Sequence, residues 1–288
     1  MGTSRASAGS PSRVPMVPPW VPEPLPEVPP DDQPPPNEDE PSQPNDHDDS
    51  GDAEPKSPAA PAPIPIAPVG RFASARRALG TFAASGGQRT MRRGVGNYVA
   101  RGLGGSSTAA RRFGGTARTA GALYRALGGQ TPGEGAGQLD RSLLAGKSAR
   151  EVIDAVIEAA CPVDGTQDAE ASRKSINDAL SQLAERDPDA DPRNLTEEQR
   201  AFVVERFVGM DVFRRFMLDV GTTIQDKAPS ASTALARLKE VREYIRETVS
   251  AAFRKIRDAG QKLTGGRVGQ LVQRALVAAF DVFSGYAQ

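Results

Sequence analysis

Side chains that commonly perform catalysis are scarce in this chain of 288 residues, which contains one histidine and one cysteine. His47 stands between Asp46 and Asp48, more than a hundred residues before Cys161. A nucleophilic cysteine needs a base that deprotonates it, and histidine is the usual one. We therefore interpret Cys161 as a small buried residue at a helix end. A single cysteine also excludes a disulfide framework and a cysteine-rich zinc site.

Two short glycine-containing stretches are only partial matches to phosphate-binding loops. Residues 145–148 read Ala-Gly-Lys-Ser, but Arg141 stands where a nucleoside-triphosphate loop needs its first glycine. Gly94 and Gly96 begin a dinucleotide fingerprint, but Val99 occupies the position of its third glycine. The sequence therefore predicts a protein that is not an enzyme, with no catalytic residue, no metal site and no cofactor.

Charge and proline divide the chain into three blocks. Residues 1–70 hold 20 of the 25 prolines, with 3 basic and 12 acidic residues. Residues 71–130 hold 11 arginines, no lysine and no acidic residue. Residues 131–288 hold 22 basic and 24 acidic residues. Such asymmetry is typical of interaction segments attached to a folded body. We predict a disordered, Pro-rich acidic tail (1–69), an Arg/Gly-rich, partly helical region (70–137) and an α-helical domain (138–288).

Apolar residues recur at spacings of three and four in the last block, which predicts helices. The predicted helices cover residues 149–160, 168–186, 196 to about 217, 232–258 and 266–283. A bend at Gly209 could divide the third of them into two helices. In residues 71–130, thirteen glycines favour short helices only, near 71–79, 88–101 and, with breaks, 108–127. No stretch alternates with a period of two, so the predicted fold is all-α, a C-terminal helical bundle.

The N-terminal tail contains a candidate partner-binding segment. Its residues are Val14, Pro15, Met16, Val17, Pro18 and Trp20. A tryptophan and a methionine are costly to leave exposed in a polar tail, which favours a partner groove. The alternative is that the tail is only a linker.

Paired arginines in the second block are candidate contacts to phosphates or to a partner. They are Arg76, Arg77, Arg92, Arg93, Arg111 and Arg112, with Phe72, Phe82, Tyr98, Phe113 and Tyr124 between them. Arginine binds phosphate bidentately, and aromatic rings can stack on bases, so nucleic acid is one possible ligand. An acidic protein surface is another, and a solvated basic linker is the third interpretation.

The sequence also predicts a cytoplasmic protein without a membrane segment. The N-terminus lacks the apolar core of a signal peptide, and no apolar run approaches the length of about 20 residues that a spanning helix needs.

Several segments, in order along nearly the whole chain, resemble the QatB family, the B component of bacterial Qat anti-phage defence systems. They are Met1-Gly2-Thr3-Ser4, residues 14–20, Asn97-Tyr98-Val99, residues 104–114, residues 144–148, residues 161–168 with Arg173, and Asp219-Val220-Gly221-Thr222. The resemblance implies a protein without enzymatic activity. Its partners would be an ATPase, a QueC-like enzyme and a TatD-like nuclease of the same system.

The resemblance also gives the front of the chain a possible chemical role. A QueC-like enzyme activates a deazaguanine carboxylate with ATP, and an amine that replaces ammonia would yield an amide. An α-amine is roughly one third neutral at pH 7.5, whereas a lysine is only about 0.1 per cent neutral. Gly2, after removal of Met1, is then the predicted acceptor, with Thr3 and Ser4 as partner contacts. The alternative is that Gly2 merely follows Met1.

Overall fold

The computed structural model describes residues 70–128, 139, 144–263 and 266–287. The helices in these residues are α1 (Ala73–Ser85), α2 (Gln88–Asn97), α3 (Ser106–Arg112), α4 (Gly114–Gly128), α5 (Ala149–Ala160), α6 (Gln167–Arg186), α7 (Glu197–Phe216), α8 (Thr222–Lys227), α9 (Ala231–Asp258) and α10 (Val268–Ser284). Two π-helical turns, Tyr98–Gly102 and Met217–Gly221, continue α2 and α7. None of the described residues lies in a strand, so the predicted all-α fold is confirmed for them. The predicted tail, residues 1–69, lies outside the described residues.

Side-chain caps define where four of the helices begin. Ser148 and Thr196 form capping boxes with Glu151 and Gln199 at the starts of α5 and α7. Thr166 caps α6 by accepting a hydrogen bond from Ala169 N at 3.1 Å, and the Ser230 hydroxyl does the same for Thr233 N at the start of α9. By contrast, α1, α2 and α3 begin without a side-chain cap. The starts of α8 and α10 also have no side-chain cap. A cap contributes about 1 kcal/mol, so the starts of α5, α6, α7 and α9 are the ones that capping stabilises.

The helix of α7 is continuous through Gly209, so the predicted division into two helices at this residue is wrong. Gly209 lies against α9, because a Cβ there would lie 3.5 Å from the Cα of Arg246, which is ordinary contact. The close approach of α9 therefore does not require a glycine at this position, and packing of α7 on α9 offsets the low helix propensity of this residue.

In the Arg/Gly-rich region, α1 ends six residues later than predicted, while α2 with its π-helical turn covers the predicted 88–101 and α3 and α4 cover the predicted 108–127 with a break at Phe113. Several glycines lie where another element comes too close for a side chain. A Cβ on Gly96 would lie 2.7 Å from the carbonyl oxygen of Phe283 in α10, and a Cβ on Gly102 would overlap the ring of Phe72. These glycines therefore bring α1, α2 and α10 together, and tertiary packing compensates for their low helix propensity.

One hydrophobic core includes helices from both predicted regions. Residues of α1 to α4 and residues of α5 to α10 belong to the same cluster of buried side chains, and α10 packs on α3, α4 and α9. The predicted boundary between residues 137 and 138 falls outside the described residues and stays a prediction. Cys161 ends α5 and is 8% exposed, in agreement with its predicted role as a small buried residue.

Candidate partner-binding surface

The structure describes the six predicted arginines but not the predicted tail residues. Gly2, Thr3, Ser4, Val14, Pro15, Met16, Val17, Pro18 and Trp20 lie outside the described residues. Five of the six arginines are exposed, and Arg92 is half-buried. The guanidinium of Arg92 lies between two tyrosine rings, 5.6 Å from that of Tyr244 and 5.4 Å from that of Tyr286. Arg92 is therefore partly engaged inside the protein, whereas the other five present their charge to the solvent.

The aromatic residues between these arginines are in the core. Phe72, Phe82, Tyr98, Phe113 and Tyr124 are all buried. Phe113 packs against Phe280 of α10, and the hydroxyl of Tyr124 donates to the carbonyl oxygen of Leu263 at 2.6 Å. The prediction that these rings stack on nucleic-acid bases is therefore wrong, because burying them stabilises the fold and leaves no ring face free.

The surface that remains is strongly basic. We define the α1–α4 arginines as Arg76, Arg77, Arg89, Arg93, Arg101, Arg111, Arg112 and Arg118, which are all exposed. None of them forms an ion pair with a carboxylate in the described residues. Arg76 donates a hydrogen bond to the carbonyl oxygen of Asp219 at 3.0 Å. Eight exposed guanidinium groups without an ion pair to a described carboxylate make the surface of α1 to α4 strongly basic, and such a surface attracts anions.

A fully buried carboxylate, Asp211 of α7, connects α7 with α4 and α6. It accepts hydrogen bonds from the hydroxyl of Thr116 in α4 at 2.5 Å and of Ser172 in α6 at 2.8 Å. Arg215 donates to it at 3.2 Å and to Asp168 at 2.6 Å. Burial raises the pKa of Asp211, while Arg215 and the two hydroxyl groups act in the opposite direction. The carboxylate therefore depends on these partners for its place in the core.

A second polar contact joins the two π-helical turns. The hydroxyl of Tyr98 in the first turn donates to the carboxylate of Asp219 in the second at 2.8 Å. The Tyr98 ring stacks on Phe72 and meets the edge of Phe216. Burial raises the pKa of Tyr98 well above its ordinary value, and the charge of Asp219 raises it further. Two of the segments that resemble the QatB family thus meet in space.

A third such segment forms the loop between α5 and α6. The side chain of Asp164 accepts hydrogen bonds from the backbone N–H and the hydroxyl of Thr166, and Arg173 donates to the carbonyl oxygen of Cys161 at 2.6 Å. The loop borders a groove of about 1190 Å³ between α5, α6 and the end of α7. The exposed side chain of Leu218 lines this groove, which is therefore a candidate docking position.

Over the part of the chain that the structure describes, no group of three or more His, Cys, Asp or Glu side chains could hold a metal ion. No helix in that part is both long and apolar enough to cross a membrane.

Sequence reasoning did not identify Asp211, Thr116 and Ser172 as a buried network. One signal was present in the sequence. Asp211 follows the apolar run Val208-Gly209-Met210, and the residues of α7 that lie three or four positions before it on the same face are core residues. Thr116 and Ser172 carried no comparable signal, since a hydroxyl is compatible with either a surface or a core position.

The structure is that of an all-α protein with an arginine-rich surface on its first four helices. The segments that resemble the QatB family form contacts between its helices. Residues 104–283, more than half of the chain, match the model of a protein family described as "Qat anti-phage system associated protein QatB". The chain therefore belongs to the QatB family and is a component of a Qat anti-phage system, so the other components of that system are its partners. Searches of curated proteins and of solved structures each gave no match.

Proposed function

We propose that this protein is a non-catalytic partner of the QueC-like enzyme in its Qat system, and that the α-amine of Gly2 accepts a deazaguanine from that enzyme. Membership of the QatB family supports a role in the system. The observation that carries the finer proposal is the sequence Met1-Gly2-Thr3-Ser4 at the front of a chain of this family. In the same proposal, residues 14–20 bind the partner enzyme, and the ATPase and the TatD-like nuclease complete the assembly.

The chemistry favours an α-amine over a lysine as the acceptor. The nitrogen attacks the activated carboxyl carbon, a C–N amide bond forms, the activating group leaves, and the nitrogen loses a proton. Only a neutral amine can attack, and the neutral fraction of an α-amine at pH 7.5 exceeds that of a lysine by more than about a hundredfold. Gly2 has no side chain, so its amine is also the least hindered.

In this proposal the helical unit is a scaffold that docks on the assembly, while the N-terminal segment reaches the QueC-like enzyme. The helices of this unit share one core. The groove beside Leu218 and the α1–α4 arginines are two surfaces on which other components of the system could dock.

Intact-mass measurement of the protein co-expressed with the other components of its system tests the modification. We expect a mass increase corresponding to one deazaguanine acyl group, located on the N-terminal peptide. Changing the ATP-binding site of the QueC-like enzyme should abolish this increase, because the carboxylate would no longer be activated.

A matched variant separates the α-amine from the lysine. Lys56 is the only lysine in residues 1–70, so Lys56→Arg should leave the mass increase unchanged. An unmodified N-terminus in a system that still protects cells from phage would refute the proposal, as would transfer of the modification to Lys56.

A second candidate function, a nucleic-acid adaptor, is favoured by the eight unpaired α1–α4 arginines. Because the neighbouring aromatic rings are buried, such an adaptor would contact phosphates without stacking on bases. Its binding would therefore depend little on sequence and would tolerate duplex as well as single strands.

Salt titration of oligonucleotide binding tests this second candidate. The slope of log affinity against log salt is negative, and each lost phosphate contact reduces its magnitude by about 0.9 on duplex DNA. Arg111→Gln/Arg112→Gln should therefore reduce the magnitude by about 2. Lys255→Gln/Lys262→Gln, which removes two exposed charges outside α1–α4, should leave the slope nearly unchanged. Equal slopes for wild type and both variants, or no binding at low salt, would exclude the adaptor role for these arginines.

A further inference from the structure

A groove of about 980 Å³ lies between α4 and α10, and we call it the α4–α10 groove. The α4 residues that line it recur every three or four positions and therefore share one face of that helix. They are Gly114, Ala117, Arg118, Gly121, Ala122 and Arg125. Gly269, Gln270 and Arg274 of α10 lie on the opposite side, and Asp164 lies in the loop after α5. Because Gly114 and Arg125 are eleven residues apart, the groove follows α4 for about 16 Å.

The floor of the α4–α10 groove is apolar and its rim is basic. Ala117, Gly121 and Ala122 are buried. They are small enough for α10 to come close, since a Cβ added at Gly269 would lie 3.3 Å from the carbonyl oxygen of Ala117. Arg118, Arg125 and Arg274 are exposed. The groove therefore places an apolar surface between positively charged side chains of two helices.

The described carboxylates leave charge on this rim unpaired. Arg118 and Arg274 form no ion pair with any of them, and Arg274 donates to the side-chain oxygen of Gln261 at 2.9 Å. Among the described residues that line the groove, Asp164 is the one acid. Its carboxylate already accepts two hydrogen bonds from Thr166. The groove therefore attracts an anionic partner.

The α4 wall favours a helix as the occupant of the groove. It presents side chains once per turn, at intervals of about 5.4 Å along its axis. A helix that lies along this wall presents its own side chains at the same interval, so the ridges of one helix fit the grooves of the other. On an extended segment, the side chains of one face recur about every 7 Å and fall out of step with α4 within two turns.

We propose that the α4–α10 groove binds an acidic amphipathic helix of another component of the Qat system. The apolar face of that helix would pack on the alanines and glycines of the floor, and carboxylates on either side of this face would pair with Arg118 and Arg274. A polynucleotide is a poorer match, because Ala117, Gly121 and Ala122 offer phosphate oxygens no side-chain donor. The inference rests on the proposed docking of the helical unit in the Qat assembly, and not on the modification of Gly2.

Co-purification of the full chain with the other components of its Qat system, after nuclease digestion, tests the proposal. Arg118→Glu/Arg274→Glu should lower the amount of the bound component by about tenfold or more, because like charges would then face each other. Arg111→Glu/Arg112→Glu, which makes the same change in charge on α3, should leave this amount nearly unchanged. Gln270→Trp keeps the charge but fills an exposed position in the wall of the groove, so it should also lower the amount.

Carbodiimide cross-linking identifies the segment that docks. Arg118→Lys keeps the positive charge and places a primary amine at the rim. The reagent joins this amine to a nearby carboxyl group as an amide, and it takes up the water that is lost. Mass spectrometry should find the cross-link to an Asp or Glu beside apolar residues at helical spacing in one component. Arg111→Lys should give no such link.

Several outcomes overturn the proposal. They are a wild type that binds no component after nuclease digestion, an Arg118→Glu/Arg274→Glu variant that keeps the component, and equal losses in both double variants. Each variant should unfold within about 3 °C of the wild type, because the changed side chains are exposed. Intact mass, measured on the same samples, reports separately on Gly2, so an unmodified wild type would refute the acceptor role without changing the result for the groove.

Discussion

Asp211→Ala is expected to lower the free energy of unfolding by about 3–5 kcal/mol, since it removes one partner of a buried, hydrogen-bonded charge pair. The side chain of Asp211 is completely buried and accepts from Thr116, Ser172 and Arg215. Without it, two buried hydroxyl groups and a guanidinium that is 14% exposed lose an acceptor. Urea denaturation followed by circular dichroism measures the change.

Two matched variants show whether burial is the cause. Asp211→Asn keeps an acceptor for one hydroxyl, so its loss should be smaller than that of Asp211→Ala. Asp178→Ala breaks the ion pair between Asp178 and Arg214, whose side chains are 37% and 23% exposed, respectively. This variant should lower the free energy of unfolding by no more than about 1 kcal/mol. If Asp211→Ala cost as little as Asp178→Ala, the buried network would contribute no net stability.

Gly96→Ala should lower the free energy of unfolding by about 3 kcal/mol, the upper part of the usual range for overpacking. The added Cβ would lie 2.7 Å from the carbonyl oxygen of Phe283 and 2.8 Å from the amide nitrogen of Ala287. Both are backbone atoms and cannot turn away as a side chain could, so α2 and α10 must separate. The same denaturation measurement applies.

Gly121→Ala in α4 is the control for this substitution. A Cβ at Gly121 meets its nearest atoms at 3.6 and 3.7 Å, which is ordinary contact. Because alanine favours a helix more than glycine, Gly121→Ala should raise the free energy of unfolding by up to about 1 kcal/mol. Equal effects at the two positions would show that the approach of α10 to Gly96 does not limit the residue there.

The helices of the last block could be predicted from apolar spacing, and the start of α7 also from its capping box. The predicted bounds 149–160, 168–186, 232–258 and 266–283 agree within two residues with α5, α6, α9 and α10. Gly209 misled the prediction for α7, because the packing of α7 on α9 depends on a distant part of the chain. The same limit applies to Gly96 and Gly102, whose role appears only when α10 and Phe72 are in place.

The candidate site could be predicted only in part. Arg76, Arg77, Arg93, Arg111 and Arg112 are exposed, and their role in contacts stays a prediction. Local sequence could not indicate that the aromatic residues beside them belong to the core, because their contacts are long-range, as between Phe113 and Phe280.

The distribution of helix caps has a consequence during protein synthesis. Among the described helices, α1 to α3 are synthesised before the others, and they have no side-chain caps. Both α2 and α3 pack against α10, which comes after all the other described helices in the sequence. The apolar residues of this early segment that pack on α10 therefore remain without those partners until α10 has been made, although α1 and α2 can already pack on each other. Nascent chains that stall before α10 is translated would be vulnerable to proteases and would depend on chaperones.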